Sequence, residues 1–422
     1  MNPFNQPQLE EIIATEMERV WANFDPSIPL KAGSDFYVNR PDEALRQLKK
    51  KLLMATRSGR IPKYYFSGHR GSGKSTEMNR LAADPEIREQ FVVIHYSIRE
   101  YADVYDLNHT DLLFTLGAQM FVQYTDPDGA YRGKLKPELF RELEGLHGRI
   151  IEKTHMSGKD VSLESQLGLK AYFLEALGKA KTEQSSRHEI RQILEPRSSE
   201  WIAQINLIAQ NISANEHKQV LIIVDDLDKP NLDIAKTLFH DHIGVLQQPN
   251  FPIVYTVPIA IFFTHQMTEI REGRQFLPSI KLFTHDGRKV ADNFSLMRQI
   301  VAARMDRRLI ADEALDHIVE MSGGIVRDLT RMMQMAALEA ILDDREQINL
   351  ADARRASTEL RNEFRDMLTQ ENLQVLRALA DGQEIPSEEK APLLFISAAV
   401  EYLNGKKWEA VHPVVKQLLN DG

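Results

Sequence analysis

Residues 64–76 read YYFSGHRGSGKST, and the fold turns on how that stretch is read. An aromatic, apolar run stops at Gly68. Gly68-x-x-x-x-Gly73-Lys74-Ser75 follows, and then a helical run begins. Glycines let a backbone turn tightly round an anion, and the amides at a helix start point at the same charge. The spacing fits a phosphate loop. Gly68, His69, Arg70, Gly71, Ser72, Gly73, Lys74, Ser75 and Thr76 would form the cradle. Lys74 would reach the outer phosphates, and the Ser75 hydroxyl would ligate Mg²⁺.

A second stretch, LIIVDDLD (221–228), places three carboxylates behind four aliphatic residues. The run fits a strand buried on both faces. Like charges at its tip raise one another's pKa unless a cation lies nearby. In a parallel sheet ligands gather at the carboxyl ends of strands, so a phosphate-bound magnesium ion would be that cation. Asp225 is the expected metal partner, through water. Asp226 is placed to orient or deprotonate the attacking water.

Around these two stretches the pattern alternates strand and helix. KYYF (63–66), FVVIHYSI (91–98), VLIIV (220–224), PIVYTV (252–257) and SIKLF (279–283) read as strands of βαβ units. Residues 1–33 read as an N-terminal helical segment, with Leu9, Ile12, Ile13, Met17, Val20 and Trp21 at helical spacing. An α/β core covers 34–290, with a polar helical insertion at about 125–187. A helical region follows at 291–365, with the helix DEALDHIVEM closed by Gly323-Gly324. Residues 366–422 read as helices and then a hairpin turning at Asn404-Gly405, the order of a winged helix.

The composition is that of an ordinary soluble protein: 422 residues, 43% hydrophobic and 27% charged. No cysteine is present, which excludes thiolate chemistry and cysteine-ligated zinc. The start, MNPFNQPQLEE, lacks the pattern of a signal peptide, and the longest apolar stretch, Phe251–Phe263, is too short to span a bilayer. The expected location is cytoplasmic. A net charge of −9 argues against a nucleic-acid footprint over the whole protein.

Together the phosphate loop and the DDLD turn resemble those of AAA+ and STAND P-loop ATPases, in particular the branch related to origin-recognition ATPases. The resemblance covers roughly 34–345. It implies a parallel-sheet P-loop NTPase of the ASCE/AAA+ type with a helical lid and a C-terminal winged-helix domain, using ATP and Mg²⁺. FYVNRPDEALRQL (36–48) is similar to the family's adenine box, so Tyr37, Val38 and Arg40 would flank the base. Thr256 in YTVP takes the place of a residue sensing the γ-phosphate. REGR (271–274) lies where an arginine finger reaches a neighbouring subunit, with Arg274 preferred over Arg271. Arg327 in SGGIVRDLTRM (322–332) resembles the lid arginine over the γ-phosphate. Asp226 departs from the glutamate of many AAA+ machines and, one methylene shorter, implies slow turnover.

The resemblance implies a homo-oligomeric switch that gates a protein effector, in STAND-like signalling such as antiviral defence. The alternative is a regulator or loader on duplex DNA, similar to initiators or transposition ATPases. The basic run RQLKKKLLMATRSGR (46–60) and Lys406-Lys407 would then meet the duplex, although Glu388 and Glu389 weaken the latter surface. His240 and His242 lack further ligands at metal-binding spacing, and Met332, Met333 and Met335 read as lid packing.

Overall fold

The computed structural model describes residues 10–40, 43–153, 163, 165–270, 273–402 and 408–420. Among them the strands are β1 (Lys63–Gly68), β2 (Phe91–Ser97), β3 (Gln219–Asp225), β4 (Ile253–Pro258), β5 (Arg274–Leu277), β6 (Ala399–Tyr402) and β7 (Trp408–Val411). The first five form one sheet in the order β2-β3-β4-β1-β5. β2 runs parallel to β3 from Phe91 opposite Gln219 to Ser97 opposite Asp225, and β3 runs parallel to β4. β4 therefore separates the phosphate-loop strand from the acidic strand, the inserted strand that the ASCE type requires. This is an α/β P-loop NTPase fold with a helical C-terminal region.

By contacts the chain divides into two compact groups. One joins Glu43–Ser67 to Met78–Phe276 and holds most of the sheet. Val220 to Val224 are completely buried there, as an uninterrupted aliphatic run in a covered sheet should be. The inserted region is helical, with helices Pro137–Lys153, Gln166–Thr182 and Gln184–Leu194 between His109–Thr125 and Ser198–Glu216. The expectation of a polar insertion is corrected: Phe140, Leu143, Leu146, Tyr172 and Phe173 are buried in it. Their helical spacing builds a core around His147, whose Nδ1 lies 2.8 Å from the Tyr172 hydroxyl. Complete burial pushes that imidazole down to about 3. Arg187 and Arg191 of the inserted helix also grip the loop after β2, pairing with Asp106 at 2.8 and 2.9 Å.

The other group joins Met1–Asp42, the loop segment Gly68–Glu77 and Leu277–Gly422. Two expectations change here. The N-terminal helix spans only Met17–Asn23, burying Met17 and Val20 while Ile12, Ile13 and Trp21 stay exposed; Leu9 lies outside the described residues. Ahead of it Ala14 pairs in extended form: its amide donates to the Arg304 carbonyl at 2.9 Å, and its carbonyl accepts from Asp306 at 2.8 Å. Those backbone groups are thereby lost to a helix. Likewise SIKLF is not a strand; β5 lies earlier and stops before Pro278, which has no amide to donate. Ile280 instead donates to the Gly324 carbonyl at 3.0 Å. Gly324 has φ +78°, and a Cβ there would collide with the Ile280 carbonyl.

Lid helices span Ala291–Ala302, Asp312–Met321 and Val326–Leu342, with Met332 and Met333 buried. The helix Leu350–Met367, begun by an Asn349–Asp352 capping box, runs across the boundary read at 366. Helices Gln370–Ala380 and Ser387–Phe395 lead to β6, which pairs antiparallel with β7 before the helix Pro413–Asn420. Asn404-Gly405 and Lys406-Lys407 lie outside the described residues. Among the described residues no helix is long and apolar enough to cross a membrane.

Candidate active site

The phosphate loop leaves β1 at Gly68 and enters the helix Lys74–Ala83, the strand–loop–helix order its spacing predicts. Ser72 donates its amide to the His69 carbonyl at 3.1 Å, closing a tight turn. The Lys74 ammonium is nearly buried and donates to the Gly68 and His69 carbonyls, each at 2.9 Å. Gly71 sits at φ +83°, where a side chain is strained. A Cβ there would also run into Arg327, whose Nε would lie 2.9 Å away. Arg327 in turn donates its amide to the Gly71 carbonyl at 3.0 Å. Arg327 thus lies directly on the loop.

The residues read as an adenine box also meet this loop. Arg40 donates to the Ser72 and Pro278 carbonyls. The Tyr37 hydroxyl donates to Glu77 at 3.1 Å, and Leu30 donates its amide to the Thr76 hydroxyl at 3.2 Å. Val38 is half-buried on the same segment. One stretch, 30–40, therefore braces the loop and the first turn of its helix. Pro41 and Asp42 lie outside the described residues.

From the C-terminal side, the completely buried His69 accepts the Glu401 amide at Nε2, at 2.7 Å. That bond places the ring proton on Nδ1. Burial, helped by Lys74 and His412, pushes His69 down to about 3, so the ring is neutral. The Arg70 guanidinium stacks over Phe395, 3.8 Å from the ring centre. Nothing in the sequence pattern marked Glu401 or Phe395 as neighbours of the loop.

The acidic turn follows β3. Asp225 is nearly buried, and its Oδ1 accepts the Asp226 amide at 2.7 Å. Asp226 takes a left-handed backbone, φ +63°, a conformation that aspartate tolerates better than most residues. The Ser97 hydroxyl at the end of β2 donates to Asp226 Oδ2 at 2.6 Å. Lys229 lies 3.8 Å from both Asp226 Oδ1 and the buried Asp228 Oδ2. A cation of the chain itself thus stands near two of the three carboxylates. Sequence reading missed Ser97 and Lys229, although Lys229 directly follows DDLD and Ser97 ends a recognisable strand. Burial, with the like charge of Asp226 adding to it, raises the nearby Glu100 carboxyl above its ordinary value.

Thr256 is completely buried, and its hydroxyl accepts the Leu227 amide at 3.1 Å, which supports this same turn. Arg274 opens β5, donates to the Phe262 carbonyl at 2.6 Å and lies 4.5 Å over the Phe262 ring. To reach a neighbouring subunit, Arg274 would have to leave that perch. Arg271 lies outside the described residues. The basic run 46–60 is partly neutralised by its own chain: Lys49 pairs with Asp84 at 2.7 Å and Glu86 at 2.8 Å, and Arg46 pairs with Glu43. His242 stacks on His109 with ring centres 3.8 Å apart. Among the described residues no cluster of histidines and carboxylates could hold a metal ion.

No family model and no curated protein sequence matches the chain. Among solved structures, Cdc6p from Pyrobaculum aerophilum is similar over 95% of this chain and 98% of that one, at 12% identity and a TM-score of 0.41. The ORC2 protein of Aeropyrum pernix is similar over 93% and 98%, at 12% identity and 0.43. Drosophila ORC bound to DNA is similar over 99% and 95%, at 12% identity and 0.42. These likenesses are distant, and the functional conclusion rests on the residues of this chain.

Proposed function

We propose that this chain binds Mg-ATP and hydrolyses it slowly, as an AAA+-like switch. The observation that carries the reading is the phosphate loop itself. A glycine-turned backbone opens a helix, holds Lys74 close, and carries Arg327 directly on Gly71. In this reading the loop amides and Lys74 hold the phosphates, and Ser75 and Asp225 would hold magnesium. Magnesium when bound would neutralise phosphate charge. Asp226 orients and deprotonates water, fixed in direction by Ser97. Thr256 keeps the acidic turn in place. Tyr37, Val38 and Arg40 flank the base, and Arg327 meets the γ-phosphate.

Oligomerisation through Arg274 and the gating of a protein effector belong to the same proposal. A C-terminal winged helix on duplex DNA is the second reading. The ion pairs of Lys49 and Arg46 count against the 46–60 run as a free cationic face. The test is equilibrium binding of Mg-ATP to the full chain beside Lys74→Ala. Micromolar affinity in the first and none in the second is the expected result; no binding by the unaltered chain overturns the reading. A steady-state rate of tens per second, above the roughly 10 s⁻¹ enzyme median, would contradict slow turnover.

A further inference from the structure

The phosphate loop packs with the C-terminal third of the chain: Gly68–Glu77 groups with Leu277–Gly422. Its contacts there are specific. Among the described residues β6 belongs to a two-stranded ribbon and pairs with β7 alone. The Glu401 amide on β6 donates to the buried, neutral His69 ring of the loop. Just before β6, Phe395 ends its helix beneath the Arg70 guanidinium. A second route joins the same strand to the same loop. Val400 and Tyr402 of β6 share a buried cluster with Ile325, and the Tyr402 hydroxyl donates to the Gly323 carbonyl at 2.8 Å. Two residues beyond Ile325, Arg327 donates its amide to Gly71. Three consecutive residues of the loop, His69, Arg70 and Gly71, thus rest on β6, on Phe395 just before it and on Arg327 beside its cluster.

We propose that the C-terminal stretch 395–402 is a positioning element of the phosphate loop, with Phe395 as its key positioning residue. Polyphosphate binding needs the loop amides to converge, and a loop held in shape beforehand gives up less conformational freedom on binding. The Arg70–Phe395 stack and the Glu401–His69 bond hold that shape from outside the loop. Linkage then requires the reverse effect: a bound nucleotide must tighten the seat of β6 on the loop by the same factor. The proposal rests on the Mg-ATP reading for its ligand, whereas the seat itself rests on contacts within the chain.

The experiment uses the full chain with Phe395→Ala and Phe395→Tyr. Removing a partly buried cation–π partner should raise the Kd for Mg-ATP by about tenfold, and the tyrosine, which keeps the ring, should restore it. Amide exchange at Glu401 and across residues 69–73 should quicken in Phe395→Ala without nucleotide, and return to normal in Phe395→Tyr. Exchange at Glu401 in the unaltered chain should slow when Mg-ATP is added. If Phe395→Ala binds Mg-ATP as the unaltered chain does, or if exchange of the loop and of Glu401 is the same in both, the proposal is overturned. Should the unaltered chain bind no nucleotide, the functional reading falls, and the exchange comparison alone decides the seat.

Discussion

The phosphate loop and the acidic turn are both junctions at the carboxyl ends of buried strands, yet they are built in opposite ways. The loop is shaped by its backbone: Gly71 in a left-handed turn, the Ser72 amide on the His69 carbonyl, and the Lys74 ammonium on two carbonyls. The turn is shaped by side chains: Ser97 and Lys229 on Asp226, and Thr256 on the Leu227 amide. A backbone-built site should fail when one glycine gains a methyl group. A side-chain-built site should lose function in graded steps.

Gly71→Ala therefore gives the largest expected effect. The new methyl group meets Arg327 and fixes a left-handed alanine, a strain of roughly 1–2 kcal/mol before any displacement of the lid. Mg-ATP affinity should fall by about a hundredfold or more, measured by titration. A variant that binds normally would break the contrast. At the acidic turn, Asp226→Asn should lower kcat by about a hundredfold or more while binding is kept. Ser97→Ala, which removes one hydrogen bond to a charged group, should lower kcat by about tenfold. Equal losses in the two variants would mean that the turn is as brittle as the loop.

An effect of another kind, read in stability and not in binding or turnover, lies away from both junctions, in the inserted helices. His147 is held neutral in the folded chain, down to about 3, whereas an unfolded histidine titrates near 6.5. Below pH 6.5 the unfolded chain takes up a proton that the folded chain refuses. The stability contributed by the neutral ring is thus complete above pH 6.5 and lost as pH falls towards about 3, at about 1.4 kcal/mol per pH unit. Denaturant midpoints of His147→Gln should show a shallower decline over that window than the unaltered chain. An identical slope would place the proton uptake elsewhere.

The same contrast explains what the sequence made legible. Gly68 to Thr76 could be read because glycine spacing and the strand–helix order are local. The β3 run and Asp225 could be read because a covered strand must be apolar up to its tip. Ser97 and Glu401 could not, because each meets its partner through a crossover or a long separation in the chain. SIKLF misled because its composition suits a strand while Pro278 and the Gly324 carbonyl send its backbone elsewhere. The insertion misled because its polar average hid apolar residues at helical spacing.

The left-handed backbone at Asp226 also limits how the proposed turnover could be quickened. Glutamate would reach further than the proposed base, but it must first occupy a region of conformational space that favours glycine, asparagine and aspartate. A screen of all residues at position 226 for folded protein alone should return those three types first. The short acid is then a choice imposed by the shape of the main chain, and lengthening it calls for remodelling the bend before the chemistry.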